Sequence, residues 1–112
     1  IMDKSLKESL DHATKMKVYN NQLRLLKEKY LERNIHFTIG HQFTIDLKLI
    51  NYCITLKNQD KTKDVIMLDD YDLPVRIADL ESFYTDILDL YQQNLNAYIV
   101  EYNKLVQDKG RI

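Results

Sequence analysis

The run IHFTIGHQFTID, residues 35–46, decides the fold. Ile35, Phe37 and Ile39 alternate with polar residues before a glycine, and Phe43 and Ile45 alternate after it, which is the period of a strand. Gly40-His41 breaks the alternation, so the run reads as a short β-hairpin, with Gly40 supplying the positive φ of the turn. Asp46 then stands where a helix N-cap belongs, ahead of Leu49, Ile50, Cys53 and Ile54 at helical spacing. A short helix is expected there, fraying near Lys57.

Toward the N-terminus the period changes. Residues 3–34 contain neither Pro nor Gly and are dominated by helix formers. Met16, Tyr19, Leu23, Leu26 and Tyr30 follow one another at intervals of three and four, a heptad seam. Leu6, Leu10 and Ala13 form an earlier stripe, offset from that seam by one position, as in a helix that either winds across a partner surface or changes partner midway. One long helix is expected, and it is too one-sided to stand alone.

Toward the C-terminus, residues 58–63 are polar and unpatterned, a loop. Val65, Ile66, Met67 and Leu68 make a run of strand length. Asp69, Asp70, Tyr71 and Asp72 supply turn chemistry, and residues 73–77 make a second strand, which Pro74 confines to an edge. From a capping Asp79 the helical period returns until Gly110, a C-terminal stop. Its stripe is Leu80, Tyr84, Ile87, Tyr91, Leu95, Tyr98, Tyr102 and Leu105, widened by Phe83, Leu88, Ile99 and Val106.

The expected fold is therefore α+β: long helix, β-hairpin, short helix, β-hairpin, long helix, with the two hairpins in one small antiparallel sheet. Residues 1–112 form a single domain, in which residues 1–34 are the long helix and residues 35–112 the body. A chain of 112 residues with 2 Gly and 1 Pro fits such long uninterrupted elements. No apolar run approaches the ~20 residues of a membrane span.

Chemistry is sparse in the pattern. Asp69, Asp70 and Asp72 lack the bend glycine and closing glutamate of a calcium loop, so they read as a solvated, dispensable turn rather than a metal site. His36 and His41 are five apart across a turn, and no nearby Cys or Asp except Asp46 could complete a metal set, so a structural or surface role is favoured. Cys53, the only cysteine, lies among apolar residues and reads as a buried small hydrophobe. Glycine-dependent nucleotide loops and nucleophile elbows do not fit two glycines so placed. No catalytic residue, metal or cofactor is expected. The basic residues of the first helix are interspersed with acids and the sequence pI is about 6.3, which disfavours nucleic-acid binding.

Two features point to protein partners instead. The 8 tyrosines, with no tryptophan, include Tyr84, Tyr91 and Tyr98 at intervals of seven. With Met16, Tyr19, Leu23, Leu26 and Tyr30 they are candidate interface positions, either within the molecule or between copies. Charge is also uneven, with a net +3 over residues 1–34 and −6 over residues 59–90. Asp60, Asp64, Asp86 and Asp89 mark a candidate acidic docking surface, whose plainer reading is a solvated face.

The runs YLERNIHFTIGHQFTID, residues 30–46, and VIMLDDYDLPVRIADLESFYTDIL, residues 65–88, carry a family likeness. With the short helix between them and the long helix after them, they resemble the uncharacterised C-terminal domain found in phage tail and tail-fibre proteins. The matching residues are Arg33, Phe37, His41 and Phe43, with Asp46 as cap, and the likeness spans residues 24–106. The tryptophan common in that family's second hairpin is absent, and Ile66 or Met67 stands in its place. The resemblance implies a non-enzymatic attachment or assembly component of a phage tail, made in the host cytoplasm and resident in the virion. Its partners would be other tail subunits and copies of itself, with a trimer as the fibre precedent. The alternative is a small intracellular binding or inhibitory module that uses the acidic surface.

Overall fold

A computed structural model describes residues 4–109. Helix α1 (Lys4–Arg33) leads into strands β1 (Ile35–Thr38) and β2 (His41–Thr44). Helix α2 (Leu47–Asn58), strands β3 (Lys63–Leu68) and β4 (Pro74–Asp79), and helix α3 (Leu80–Lys109) follow. The expected α+β order holds. The molecule is a rod of 72 × 25 × 22 Å, with a head made of the hairpins, α2 and the start of α3. A stalk of α1 and the rest of α3, running antiparallel, projects from it. Each long helix has 30 residues, or ~45 Å at 1.5 Å per residue. The Gly110 stop lies outside the described residues.

Two details correct the sequence reading. First, the hairpins do not merge into one sheet; each is a separate antiparallel pair. Second, the first turn is Ile39-Gly40 rather than Gly40-His41. Both turn residues have positive φ, 53° and 76°, as in a type I′ turn, whose twist suits a two-residue hairpin. The register pairs Thr38 with His41 and Ile35 with Thr44, so His41 belongs to the ladder.

The capping chemistry acts as the sequence implies. Asp46 accepts a hydrogen bond from Leu49 N at 2.8 Å and starts α2. Asp79 Oδ1 accepts from the Glu81 and Ser82 amides at 3.2 and 3.5 Å and starts α3. Pro74 opens β4 opposite Leu68, where its missing N–H leaves no gap in the middle of a ladder. Asp64, at φ 51°, is left unpaired in the β3–β4 ladder, whose register is the same on either side of it.

The core lies wholly in the head. Phe43 and Ile45 come from the first hairpin, Val65, Met67, Val75 and Ile77 from the inward face of the second. Ile50, Cys53 and Leu56 come from α2, and Leu80, Phe83 and Ile87 from the first turns of α3. The Phe83 ring meets Phe43 edge-on at 5.2 Å and His36 at 5.8 Å. No residue of α1 enters this cluster; its one buried side chain among those described is Tyr19. Burial pushes the Cys53 thiol up to about 11, with Lys57 opposing weakly, so it packs as a small hydrophobe.

Candidate interaction surfaces: stalk seam, hairpin clasp and charged ends

The stalk is built from two matching heptad seams. Tyr91, Asn94, Tyr98, Glu101 and Leu105 recur at intervals of three and four on α3 and face α1. Tyr30 packs on Tyr98 with ring centroids 4.6 Å apart and hydrogen-bonds Tyr91, which holds the Tyr91 phenol above its ordinary value. Met16, Leu23 and Leu26 are half-buried along the same stripe, and Tyr19 is buried. Seven of the eight candidate interface residues thus lie along the stalk, and Tyr30 meets both Tyr91 and Tyr98 across the α1–α3 junction. Tyr84 lies apart, in the head, under the Lys57 ammonium 4.5 Å from its ring centroid.

Polar residues fix the register of this stalk. Asn94, buried in the seam, donates through Nδ2 to the Arg33 carbonyl and to Asn34 Oδ1, both at 2.8 Å. Asn34, also buried, accepts from Ile45 N at 2.8 Å through its own carbonyl, so one residue ties α1, α3 and the first hairpin together. Lys29 and Arg33 reach Glu101 at 3.3 and 3.4 Å, and together they hold its carboxyl below the ordinary pKa, Lys29 foremost. The sequence reading missed Asn94; its place three residues after Tyr91 and four before Tyr98 is the signal that marks it as a register device. Its partners carry no such signal, because they lie about sixty residues away.

The acidic turn is a clasp, which corrects the expectation that it is solvated and dispensable. Asp69 is buried; its Oδ1 accepts from the Tyr71 and Leu73 amides at 2.8 and 2.9 Å. Its Oδ2 meets His41 Nδ1 at 2.7 Å, and that bond is the main reason the carboxyl is held below its ordinary range. Asp70 docks on the outer edge of β2. Its amide donates to the Gln42 carbonyl, and its carboxylate accepts from Thr44 N, Thr44 Oγ1 and Gln42 Nε2 at 2.8–2.9 Å. The two hairpins are therefore joined by these side chains and one backbone hydrogen bond rather than by a shared ladder. Of the three, only Asp69 is buried; Asp70 is exposed although bonded, and Asp72 is exposed. Among the described residues no group of three His, Cys, Asp or Glu is placed to hold a metal ion.

The four candidate acidic residues are exposed but do not converge. Asp60 and Asp64 rim a shallow cleft with Lys61 and Lys63, Asp86 borders another with Ser82 and Ile39, and Asp89 lies farther along α3. Another cleft, of about 460 Å³, lies between α2 and β3, where Tyr52, Ile66 and Leu68 line it beside Asp46, Asp69 and Asp70.

Sequence reading also missed a second seam on α3. Leu95, Ile99, Tyr102 and Val106, at intervals of four, three and four, lie beside the first seam and away from α1. Ile99 is 50 % exposed, Tyr102 40 % and Val106 39 %. On α1, Val18 and Leu25 are about half exposed and seven residues apart. The seam was legible in the intervals but was merged into one broad stripe. No helix among the described residues is long and apolar enough to cross a membrane. No family model, curated protein or solved structure matches the chain, so the likeness to a phage tail domain stands on the quoted residues alone.

Proposed function

We propose that this chain is a non-enzymatic assembly module, a rod whose stalk associates with protein. The observation that carries this reading is the second, exposed heptad seam on α3. A helix with two adjacent apolar seams is suited to two helical neighbours, and this chain supplies one. The polar groups of the head also support it. Asp46, Asp69, Asp70, Asp79 and His41 are engaged in caps and in the clasp, so the carboxylates of Asp46, Asp69 and Asp70 that border the cleft between α2 and β3 already hold structural hydrogen bonds. The resemblance noted in the sequence supplies the setting, an attachment or tail-fibre-associated component of a phage tail. A trimer rests on that resemblance alone.

Sedimentation velocity across a hundredfold range of concentration tests the reading. The expected result is a concentration-dependent oligomer, weakened by Ile99→Glu with Val106→Glu. A monomer throughout would overturn self-assembly. It would favour the second reading, a binding or inhibitory module, which rests on acidic side chains left without internal partners.

A further inference from the structure

The rod carries opposite charge at its two ends. Lys29 lies against Glu101, and Gln22 and Leu26 share a groove with Leu105. At 1.5 Å per residue on antiparallel paths, Lys109 comes level with about residue 22 of α1. Residues 4–18 therefore extend past the last described residue of α3. This overhang holds Lys4, Lys7, Lys15 and Lys17 against Glu8 and Asp11, a net +2. The head, residues 35–90, holds 5 basic and 10 acidic residues, a net −5. The imbalance is not neutralised internally. Among the described residues, the four lysines make no ion pair. The carboxylates of Asp60, Asp64, Asp72, Glu81, Asp86 and Asp89 likewise make no ion pair, and none of them accepts a hydrogen bond.

We propose, resting on the self-assembly reading, that the exposed face of α3 receives α1 of a second copy in an antiparallel, two-fold dimer. Charge selects the orientation. Two rods side by side with heads together would set basic overhang against basic overhang and acidic head against acidic head, and juxtaposed like charges are unfavourable. With heads at opposite ends, each overhang runs beside the other copy's head. In that arrangement α1 of one copy is parallel to α3 of the other.

Apolar spacing then sets the register. Val18 and Leu25 of one copy match Ile99 and Val106 of the other, since both pairs are seven residues apart. The same alignment carries Lys4 and Lys7 to the level of Asp86 and Asp89. The face is continuous toward the head, because Thr85, Asp86, Asp89 and Asn96 are all exposed. Asn96, Tyr98, Asn103 and Leu105, which flank the second seam, carry no charge, so nothing along it repels a neighbouring helix. A two-fold contact of this kind is self-complementary and closes at two copies rather than growing into a filament.

The test uses the full chain with Lys7→Cys and Asp89→Cys variants, each at an exposed site; Cys53 is buried and stays out of the reaction. Mixed and mildly oxidised, the two should give a disulfide-linked heterodimer, while Lys7→Cys alone should give none. Charge reversal supplies the second arm. Lys4→Glu with Lys7→Glu, or Asp86→Lys with Asp89→Lys, should each weaken dimerisation at least tenfold at low salt. An equimolar mixture of the two reversed proteins should restore it, because both contacts of the heterodimer are again complementary. A wild-type dimer that links Lys7→Cys to itself, or that ignores both reversals, would overturn the antiparallel arrangement and leave self-assembly standing. A monomeric wild type would overturn both.

Discussion

At the residue scale, Ile39 is the clearest departure from local preference. A β-branched side chain at φ 53° is disfavoured by about 1–2 kcal/mol, and the type I′ turn it occupies prefers Asn before Gly. Ile39 is 73 % exposed, so it gains little from packing in return. Ile39→Asn should therefore stabilise the protein by about 1 kcal/mol, read as a raised urea midpoint with an unchanged slope. Asp69 gives a second residue-scale expectation, with a definite sign. Its carboxyl is held below the ordinary 3.8, chiefly by His41, so its contribution is complete above that pH and is lost as pH falls through the lowered folded value. Melting temperature should drop below pH 3.8, and Asp69→Asn should flatten that acid limb while lowering stability at neutral pH. An acid limb of undiminished steepness in the variant would count against the clasp. Glu101 has the same sign through Lys29 and should supply the slope that remains.

At the scale of the element, seam and polar pin act together. Asn94→Leu adds apolar contact to the stalk but strands the Arg33 carbonyl and Asn34 Oδ1 that it satisfied. A buried acceptor left unpaired costs about 1–3 kcal/mol, which outweighs the gain in a seam already lined by tyrosines. The variant should lose stability by that amount in chemical denaturation, and a more stable variant would reduce Asn94 to a filler. This contrast also explains how much was legible in advance. Element order, caps at Asp46 and Asp79, and the edge proline were readable because each depends on neighbours within a few residues. The clasp was not, since His41 and Asp69 are 28 residues apart and meet only when the turn falls at Ile39-Gly40. The acidic run carried the right residue types, but nothing local marks which carboxylates fold inward. The stalk tyrosines were found, whereas the choice between an internal and an external seam waited on the path of α3.

At the scale of the whole molecule, head and stalk rest on different contacts. The core cluster takes nothing from α1, which is held by its seam with α3 and by the Asn34–Asn94 junction. Leu23→Asp places a carboxylate in that seam, and a partly buried unpaired charge is strongly disfavoured. Helicity by far-ultraviolet circular dichroism should fall by up to the share of α1, while the head keeps its side-chain packing. Complete unfolding in one step would instead tie the head's stability to the stalk. Cys53 makes the two separable without a new probe. Its thiol is fully enclosed and, with a pKa of about 11, almost entirely protonated near neutrality. Alkylation must therefore wait for the head to open, and its rate is an internal clock for that event alone. A stalk that frays while the clock stands still would reveal a rod with one rigid end and one yielding end.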